Sequence, residues 1–227
     1  MGRDKAMLEI DGVTMIECAI DLIRRAGIEP VVVGSFGERP RHTGARVIPD
    51  DWPAAGPLGG IATALRNTVA PWNLVMACDM PYVTAEWLEF LMDRACAASQ
   101  LEEELHRTAS GAEAPGQGMT LMSELKLRPP KDQFPNPICS ADAMVAMNDG
   151  GAEPMCAMYH RRADAAIREA LEAGIRKVTD GLAKLRVDYI ERAKWKAFDS
   201  EGLLFKNVNE PADYEDAKAK LSGRAKK

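Results

Sequence analysis

Apolar positions recur at helical spacing early in the chain and then give way to short β-branched runs. Residues 15–26 carry apolar side chains three or four positions apart and precede Gly27, which predicts a helix that stops at the glycine. Residues 31–33, all valine, and residues 46–48 are typical of short buried strands. The chain therefore begins with alternating helices and strands.

This alternation continues to the end of the chain. Further predicted helices cover residues 59–67, 85–98, 162–173, 178–185 and 212–221, and further predicted strands cover residues 73–78, 143–147, 155–158 and 203–207. A turn at residues 148–151, with the sequence NDGG, indicates a hairpin between two of these strands. The order of elements predicts an α/β fold whose mostly parallel sheet is covered by helices.

Residues 99–137 interrupt the pattern. Polar residues dominate this segment, which also holds five of the chain's 14 prolines. Such a composition predicts a flexible surface insertion, although its first residues, with the sequence LEEEL after Gln100, are able to extend the preceding helix. We expect an inert loop rather than a flap over a binding site.

Composition narrows the class of protein. A chain of 227 residues with 46% hydrophobic residues is sufficient for one soluble domain with a substantial core, so we expect a single domain over residues 1–227. The 29 Lys and Arg against 34 Asp and Glu argue against a nucleic-acid partner. No apolar run approaches the roughly 18 residues of a membrane helix, and the first residues lack the apolar centre of a signal peptide. Five widely spaced cysteines favour a reducing, cytoplasmic location. Because no apolar run is long enough for a membrane helix, we expect no membrane partner.

Ligands of parallel sheets bind beyond the carboxyl ends of the strands, so polar residues at strand exits are the first candidates for chemistry. Asp79 follows the predicted strand in NLVMACDMP, and Pro81 turns the chain directly afterwards. A carboxylate in this position either holds Mg²⁺ against phosphate oxygens or caps the following turn. The spacing alone leaves both interpretations open.

Two other segments carry weaker signals. Asp50 ends a predicted strand, and the glycine-rich residues 56–60 lead into a helix whose free N–H groups could meet an anion or a nucleobase. Taken alone, this segment favours a flexible turn. Lys5 precedes an alternating, strand-like stretch and either neutralises phosphate charge or is simply solvated.

In combination and in this order, the segments resemble the molybdenum cofactor guanylyltransferase family. The matching stretches are residues 1–8 (MGRDKAML), 47–60 (VIPDDWPAAGPLGG), 78–82 (CDMPY), 153–159 (EPMCAMY) and 207–211 (NVNEP). Each motif alone is weak evidence for the family, whereas all of them together in this order are fairly specific for it. The resemblance covers nearly the whole chain apart from residues 99–138.

The resemblance implies a three-layer α/β/α, Rossmann-like nucleotidyltransferase fold and a defined reaction. GMP is transferred from GTP to the terminal phosphate of molybdopterin bearing molybdenum, with Mg²⁺ as cofactor and pyrophosphate as the second product. The attacking phosphate oxygen is already ionised, so positioning and charge neutralisation suffice without a general base. Transient contact with molybdoenzymes or other cofactor-biosynthesis proteins is a further family expectation.

Residue roles follow from the matched motifs. Lys5 and Asp79 are the implied catalytic residues: Lys5 contacts the GTP phosphates and stabilises developing charge, and Asp79 holds Mg²⁺ with those phosphates. Asp50 contacts the nucleoside. The remaining implied substrate-binding residues, which have weaker support, are Gly59, Asn207 and Asn209, with the two asparagines nearer the pterin.

The chain departs from the family pattern at its beginning, because Met1 matches the middle of the first motif and the family's first strand and Leu-Ala-Gly-Gly loop are not among the 227 residues. We expect the natural enzyme to begin further upstream; the alternative is a short, non-catalytic nucleotide or pterin binder. A molybdopterin cytidylyltransferase and a sugar-1-phosphate nucleotidyltransferase are alternatives among enzymes, since base choice depends on a few hydrogen bonds that the sequence does not reveal.

Overall fold

The structure, a computed structural model, describes residues 5–34, 44–109 and 140–222. The strands are β1 (Glu9–Ile10), β2 (Val13–Thr14), β3 (Val31–Val33), β4 (Arg46–Ile48), β5 (Trp72–Met76), β6 (Ala143–Asn148), β7 (Gly151–His160) and β8 (Val187–Ile190). The helices are α1 (Met15–Arg25), α2 (Pro57–Arg66), α3 (Ala85–Ala109), α4 (Asp164–Glu172), α5 (Val178–Gly181), α6 (Arg192–Trp195) and α7 (Pro211–Leu221). None of the described helices is long and apolar enough to cross a membrane.

The largest sheet has four strands in the order β5-β7-β6-β8. β7 is antiparallel to both of its neighbours, and β6 is parallel to β8. The expectation of a mostly parallel sheet is therefore wrong for this part of the fold, which is mixed. The cause is the predicted hairpin, which the structure confirms: only two residues separate Asn148 from Gly151, and such a short turn joins antiparallel strands. Strands β3 and β4 form a separate parallel pair.

Helices cover both faces of the four-stranded sheet, as the α/β/α expectation requires. Side chains alternate along each strand, so that Met144 and Met158 pack towards α3 while Val145 and Tyr159 pack towards α2 and α4. All four of these side chains are almost fully buried. The two cores on opposite faces hold the sheet between the helical layers.

Local signals explain why the predicted helix at residues 15–26 forms. The backbone N–H of Glu17 donates to Oγ1 of Thr14 at 3.3 Å, and the N–H of Thr14 donates back to the Glu17 carboxylate at 2.9 Å. This reciprocal cap begins α1, and Gly27 with a φ of +82° follows its end.

Residues 203–207 do not form the predicted strand. They make turns and loop, in which the N–H groups of Leu203 and Leu204 both donate to Oδ1 of Asp199. Leu204 and Phe205 are nevertheless buried, in an aromatic cluster that includes Trp87. A short apolar run has the same composition in a buried loop as in a buried strand, which is why the pattern was ambiguous. β8 is one of the strands that the sequence pattern missed.

The predicted insertion begins later than residue 99. Helix α3 continues to Ala109, and residues 110–137 lie outside the described residues. The extension of α3 is anchored by Arg162, whose guanidinium donates to both oxygens of Glu102 at 2.7 and 2.8 Å. This ion pair lowers the pKa of the Glu102 carboxyl and fixes the last turns of α3 against the segment after β7.

Candidate active site

Three predicted site residues line one large cavity. Lys5, Asp50 and Asp79 contribute to a cavity of about 1580 Å³, together with Gly56 and Gly60. Asp50 follows the carboxyl end of β4, and Asp79 follows the carboxyl end of β5. Both carboxylates therefore follow strand ends and line the same cavity, and the charge of Lys5 acts on Asp79.

The side chain of Lys5 is held by the segment that precedes α7. Its Nζ donates a hydrogen bond of 2.9 Å to Oδ1 of Asn209, and the backbone N–H of Asn209 donates in turn to the carboxylate of Asp213 at 3.1 Å. Asp213 also accepts from the N–H of Glu210, which caps α7, and these hydrogen bonds lower the pKa of the Asp213 carboxyl. The cap of α7 thus orients the asparagine that positions Lys5.

Asp79 lies beside the same segment. Its backbone carbonyl accepts a hydrogen bond of 2.9 Å from the N–H of Val208, which is fully buried. Burial raises the pKa of the Asp79 carboxyl, and the positive charge of Lys5 acts in the opposite direction. Asp79 is therefore a partly buried carboxyl group within electrostatic range of a cation, and a perturbed carboxyl group in a cavity is a candidate functional residue.

Asn207 carries an unsatisfied polar atom. Its Oδ1 is buried and has no hydrogen-bond partner among the described residues. A buried carbonyl oxygen without a partner costs roughly 1–3 kcal/mol, so such an atom in a native site calls for an explanation. Because the N–H of Val208 donates to the backbone carbonyl of Asp79, this oxygen belongs to the segment that packs beside Asp79.

Asp50 is tied into its own loop. Oδ1 of Asp50 accepts hydrogen bonds from the N–H of Trp52 and from the hydroxyl of Thr63, both at 2.9 Å. The same hydroxyl accepts from the N–H of Asp51 at 3.0 Å. One oxygen of the Asp50 carboxylate therefore holds the loop in place. Thr63, which is fully buried, is a site residue that sequence reasoning missed, since nothing in the local pattern links it to a residue 13 positions earlier.

The glycines before and within α2 have different roles. Gly56 has a φ of +66°, a conformation that glycine adopts without strain, and Pro57 then begins α2. A Cβ on Gly59 would lie 2.9 Å from the Cβ atoms of both Trp52 and Ala55, so this glycine lets the loop pack against the helix. The structure thus assigns Gly59 a packing role, and its contact with substrate stays a prediction.

The oxygen donors present suit magnesium. No group of three or more His, Cys, Asp or Glu side chains in the described part of the chain could hold a metal by itself. Mg²⁺, however, commonly binds through one or two carboxylates and completes its shell with substrate phosphates and water. The partly buried carboxylate of Asp79 and the unpartnered amide oxygen of Asn207 are hard donors of this kind.

The described residues that flank residues 110–139 are connected to the end of the main sheet away from Asp79. Glu102 in α3 and Asp142, which precedes β6, both pair with Arg162. Arg162 follows the end of β7 that pairs with Trp72, the first residue of β5, whereas Asp79 follows the last residue of β5. The two attachment points therefore lie at the end of the sheet opposite the carboxylates.

The α/β/α domain thus has a lysine and two carboxylates lining one cavity, with the carboxylates just beyond strand ends, an arrangement typical of proteins that bind nucleotide phosphates. The family described as the MobA-like NTP transferase domain matches residues 1–187. The chain belongs to this family and is a nucleotidyltransferase.

Two relatives and one solved structure show how far the similarity extends. The probable molybdenum cofactor guanylyltransferase of Pelotomaculum thermopropionicum is 26% identical over 94% of this chain and 83% of its own length. The molybdenum cofactor guanylyltransferase of Xanthomonas euvesicatoria pv. vesicatoria is 40% identical, over 40% of this chain and 47% of its own. The crystal structure of molybdopterin-guanine dinucleotide biosynthesis protein A from Archaeoglobus fulgidus superposes with a TM-score of 0.67, covering 97% of this chain and 92% of that one at 24% identity. This last likeness confirms the nucleotidyltransferase fold.

Proposed function

We propose that this protein transfers GMP from GTP to the terminal phosphate of molybdopterin bearing molybdenum, a step in the biosynthesis of the molybdenum cofactor. A phosphate oxygen of the pterin attacks the α-phosphorus of GTP, the bond from that phosphorus to the oxygen bridging to the β-phosphorus breaks, and pyrophosphate leaves. Support comes from the family and from the names of the relatives. The single observation that carries the proposal is the position of Lys5, which lines the same cavity as Asp79, acts on the charge of Asp79 and donates a hydrogen bond to Asn209.

Lys5 supplies positive charge to the triphosphate. Its ammonium has three donors, of which the bond to Asn209 uses one and orients the others. Charge builds up on the leaving pyrophosphate in the transition state, so a positioned cation stabilises the transition state more than the bound substrate. Asn209 would therefore act through Lys5 as a positioning residue. It would also belong to the part of the site that binds the pterin.

Asp79 and Asn207 would hold the magnesium ion. Bound Mg²⁺ would neutralise phosphate oxygens and align them for in-line displacement. The carboxylate of Asp79 must be ionised for this task, and the burial that raises its pKa also strengthens its attraction for a cation. The amide oxygen of Asn207, buried without a partner among the described residues, would be satisfied by the same ion or by the pterin substrate.

Asp50 would contact the nucleoside from a rigid loop. Because Thr63 and Trp52 hold one carboxylate oxygen, the other can be directed towards a ribose hydroxyl or a base N–H group. Gly59 would contribute by allowing the loop to lie close to α2. We further propose a cytoplasmic location and transient contact with the enzymes that make or receive the cofactor.

Product formation tests the proposal directly. The full chain is incubated with Mg²⁺, molybdopterin bearing molybdenum and either GTP or CTP, and the dinucleotide products and pyrophosphate are quantified. We expect the guanine dinucleotide to form and CTP to be a poor donor. Preferred use of CTP would replace the proposal with the cytidylyltransferase alternative, and turnover only with a sugar 1-phosphate would replace it with that alternative. GTP binding in calorimetry without any turnover would favour the non-catalytic binder.

A further inference from the structure

The first residues of β7 lie at the same edge of the four-stranded sheet as Asp79. The backbone N–H of Ala77, directly after β5, donates to the carbonyl of Met155 in β7 at 2.8 Å. Because β5 and β7 are antiparallel, the chain runs on from Ala77 to Asp79 in the direction in which β7 runs back from Met155 to Glu153. Asp79 and Glu153 are therefore each two residues beyond the same hydrogen bond.

Glu153 is held in place by the hairpin between β6 and β7. Asn148, the last residue of β6, donates from Nδ2 to Oε1 of Glu153. Oδ1 of Asn148 accepts from the backbone N–H of Gly150 at 2.6 Å, so the turn fixes the orientation of the amide. The other carboxylate oxygen, Oε2 of Glu153, accepts no hydrogen bond from the described residues and retains solvent-accessible surface.

This carboxylate lacks a cation to compensate its burial. Burial raises the pKa of the Glu153 carboxyl, and the hydrogen bond from Asn148 acts in the opposite direction. Partly buried carboxylates are normally compensated by a cation or by several hydrogen bonds. Within the described part of the chain, Glu153 has one side-chain hydrogen bond and no ion pair. A ligand with N–H donors would supply what the protein does not.

Glu153 stands on the face of the sheet that the segment before α7 covers. Ala146 of β6 lies directly opposite Glu153, and directly opposite residues of paired strands share a face. Ala146 belongs to the same core cluster as Leu204 and Phe205. These two residues come shortly before Asn207, which is one of the residues proposed to bind substrate or metal.

We propose that Glu153 binds the pterin ring of the acceptor substrate and that Asn148 is its positioning residue; this inference rests on the proposed function. A pterin presents its ring N3–H and 2-amino N–H groups side by side on one edge. Two parallel donors of this kind match the two oxygens of a carboxylate. Asn148 occupies one acceptor position of Oε1, so both oxygens of Glu153 keep the capacity to accept from the ring.

Guanine carries the same pair of donors, so the position of Glu153 decides between the two rings. Glu153 shares a face of the main sheet with the segment that leads to Asn207, on the proposed pterin side. Asp50, the residue proposed to contact the nucleoside, follows β4, which belongs to a separate sheet. The geometry therefore favours the pterin as the ligand of Glu153.

Steady-state kinetics of the full chain, with each substrate varied in turn, test this assignment. Glu153→Gln keeps an oxygen that accepts from Asn148 but replaces the second acceptor with an N–H donor. We expect KM for molybdopterin bearing molybdenum to rise about tenfold, KM for GTP to change less than about twofold, and Tm to stay close to the parent value. Asn148→Ala should give a smaller rise in the same KM. Glu172→Gln, on the exposed side of α4, is the matched control.

A pair of stable ring analogues tests recognition without turnover. Pterin carries the 2-amino group, whereas lumazine carries an oxygen in its place and so presents an acceptor to the carboxylate. We expect the parent chain to bind pterin about tenfold more tightly than lumazine in a fluorescence titration. Glu153→Gln should abolish this preference, and Glu172→Gln should keep it. A purely structural role of Glu153 in the hairpin would leave the preference unchanged.

The outcomes separate this inference from the proposed function. If the parent makes the guanine dinucleotide and Glu153→Gln has the parental KM for the pterin substrate, the inference is overturned and the function stands. A rise confined to KM for GTP also overturns it and assigns Glu153 to the guanine base. If the parent makes no dinucleotide, the proposed function fails, and the pterin and lumazine titrations still decide the role of Glu153. A lower Tm of Glu153→Gln with an unchanged preference for pterin assigns the residue to the hairpin alone.

Discussion

Nζ of Lys5 lies 2.9 Å from Oδ1 of Asn209, although 204 positions separate the two residues in the chain. The bond joins the first described turn of the protein to the segment before its last helix. It therefore links the residue proposed to bind the triphosphate to one proposed to bind the pterin. The position of the Lys5 charge therefore depends on how the first described turn packs against the segment before α7.

Removal of the Lys5 ammonium should lower turnover far more than stability. We expect Lys5→Ala to reduce kcat about 10²- to 10³-fold, because a positioned cation acts mainly on the transition state. The far-ultraviolet circular dichroism and Tm should stay close to those of the parent, since the side chain makes an exposed hydrogen bond. Lys218→Ala, at an exposed position of α7, is the matched control. Parental turnover in Lys5→Ala would remove Lys5 from the mechanism.

A double-mutant cycle tests whether Asn209 acts through Lys5. Asn209→Ala should lower kcat by less than Lys5→Ala, and the double variant should be no worse than Lys5→Ala alone, because the two residues act as one unit. Fully additive losses would show that Asn209 acts independently, for example on the pterin. Steady-state kinetics of the four proteins decide between these outcomes.

Asp79→Asn should remove activity while leaving the fold as stable as the parent or more so. Burial raises the pKa of this carboxyl, which means that the folded state disfavours its charged form. The resulting destabilisation is present above the folded-state pKa and disappears as the pH falls towards the unfolded value. We therefore expect Asp79→Asn to have the higher Tm near neutral pH and the difference to vanish in acid.

The pH dependence of turnover should also follow the titration of the Asp79 carboxyl. The parent enzyme should lose turnover on acidification at a pH above the ordinary pKa of an aspartate, because protonated Asp79 cannot hold the metal. Glu215→Gln, on the exposed surface of α7, serves as the control for the loss of one negative charge. A Tm of Asp79→Asn below that of the parent at neutral pH would contradict the assigned direction of the shift.

Thr63 should affect nucleotide binding through Asp50. Thr63→Val keeps the shape of the side chain but removes both hydrogen bonds of the hydroxyl, so the loop loses its anchor. We expect KM for GTP to rise roughly tenfold, equivalent to about 1.4 kcal/mol, with a smaller change in kcat. Thr63→Ser restores the hydroxyl and should restore KM. If the serine variant behaves like the valine variant, packing rather than the hydrogen bonds explains the effect.

Adjacent glycines of α2 offer a matched pair for stability. Gly59→Ala places a methyl group 2.9 Å from the Cβ atoms of Trp52 and Ala55 and should destabilise the fold by about 1–3 kcal/mol. A Cβ on Gly60 meets nothing within 4 Å, so Gly60→Ala should stabilise the helix by up to about 1 kcal/mol. Chemical denaturation measures both. Equal effects would show that the loop does not pack against α2 as described.

Much of the fold followed from local patterns. The helix at residues 15–26, the strands at residues 31–33 and 46–48 and the hairpin at residues 148–151 were all predicted and are confirmed. The false strand at residues 203–207 failed because Leu204 and Phe205 are buried by aromatic neighbours rather than by strand pairing. Burial of an apolar residue is visible in a sequence, but the partner that buries it is not.

The sequence by itself determined the local elements and the order of the motifs, because caps, turns and periodicity depend on residues within a few positions of one another. Only the tertiary structure decided which motifs meet. The hydrogen bond from Lys5 to Asn209 and the hydrogen bond from Thr63 to Asp50 both depend on how separate segments pack. The large cavity, which residues of both β3 and β5 line, likewise arises from the placement of two sheets. Such long-range contacts are set by the packing of the whole domain, which no local pattern encodes.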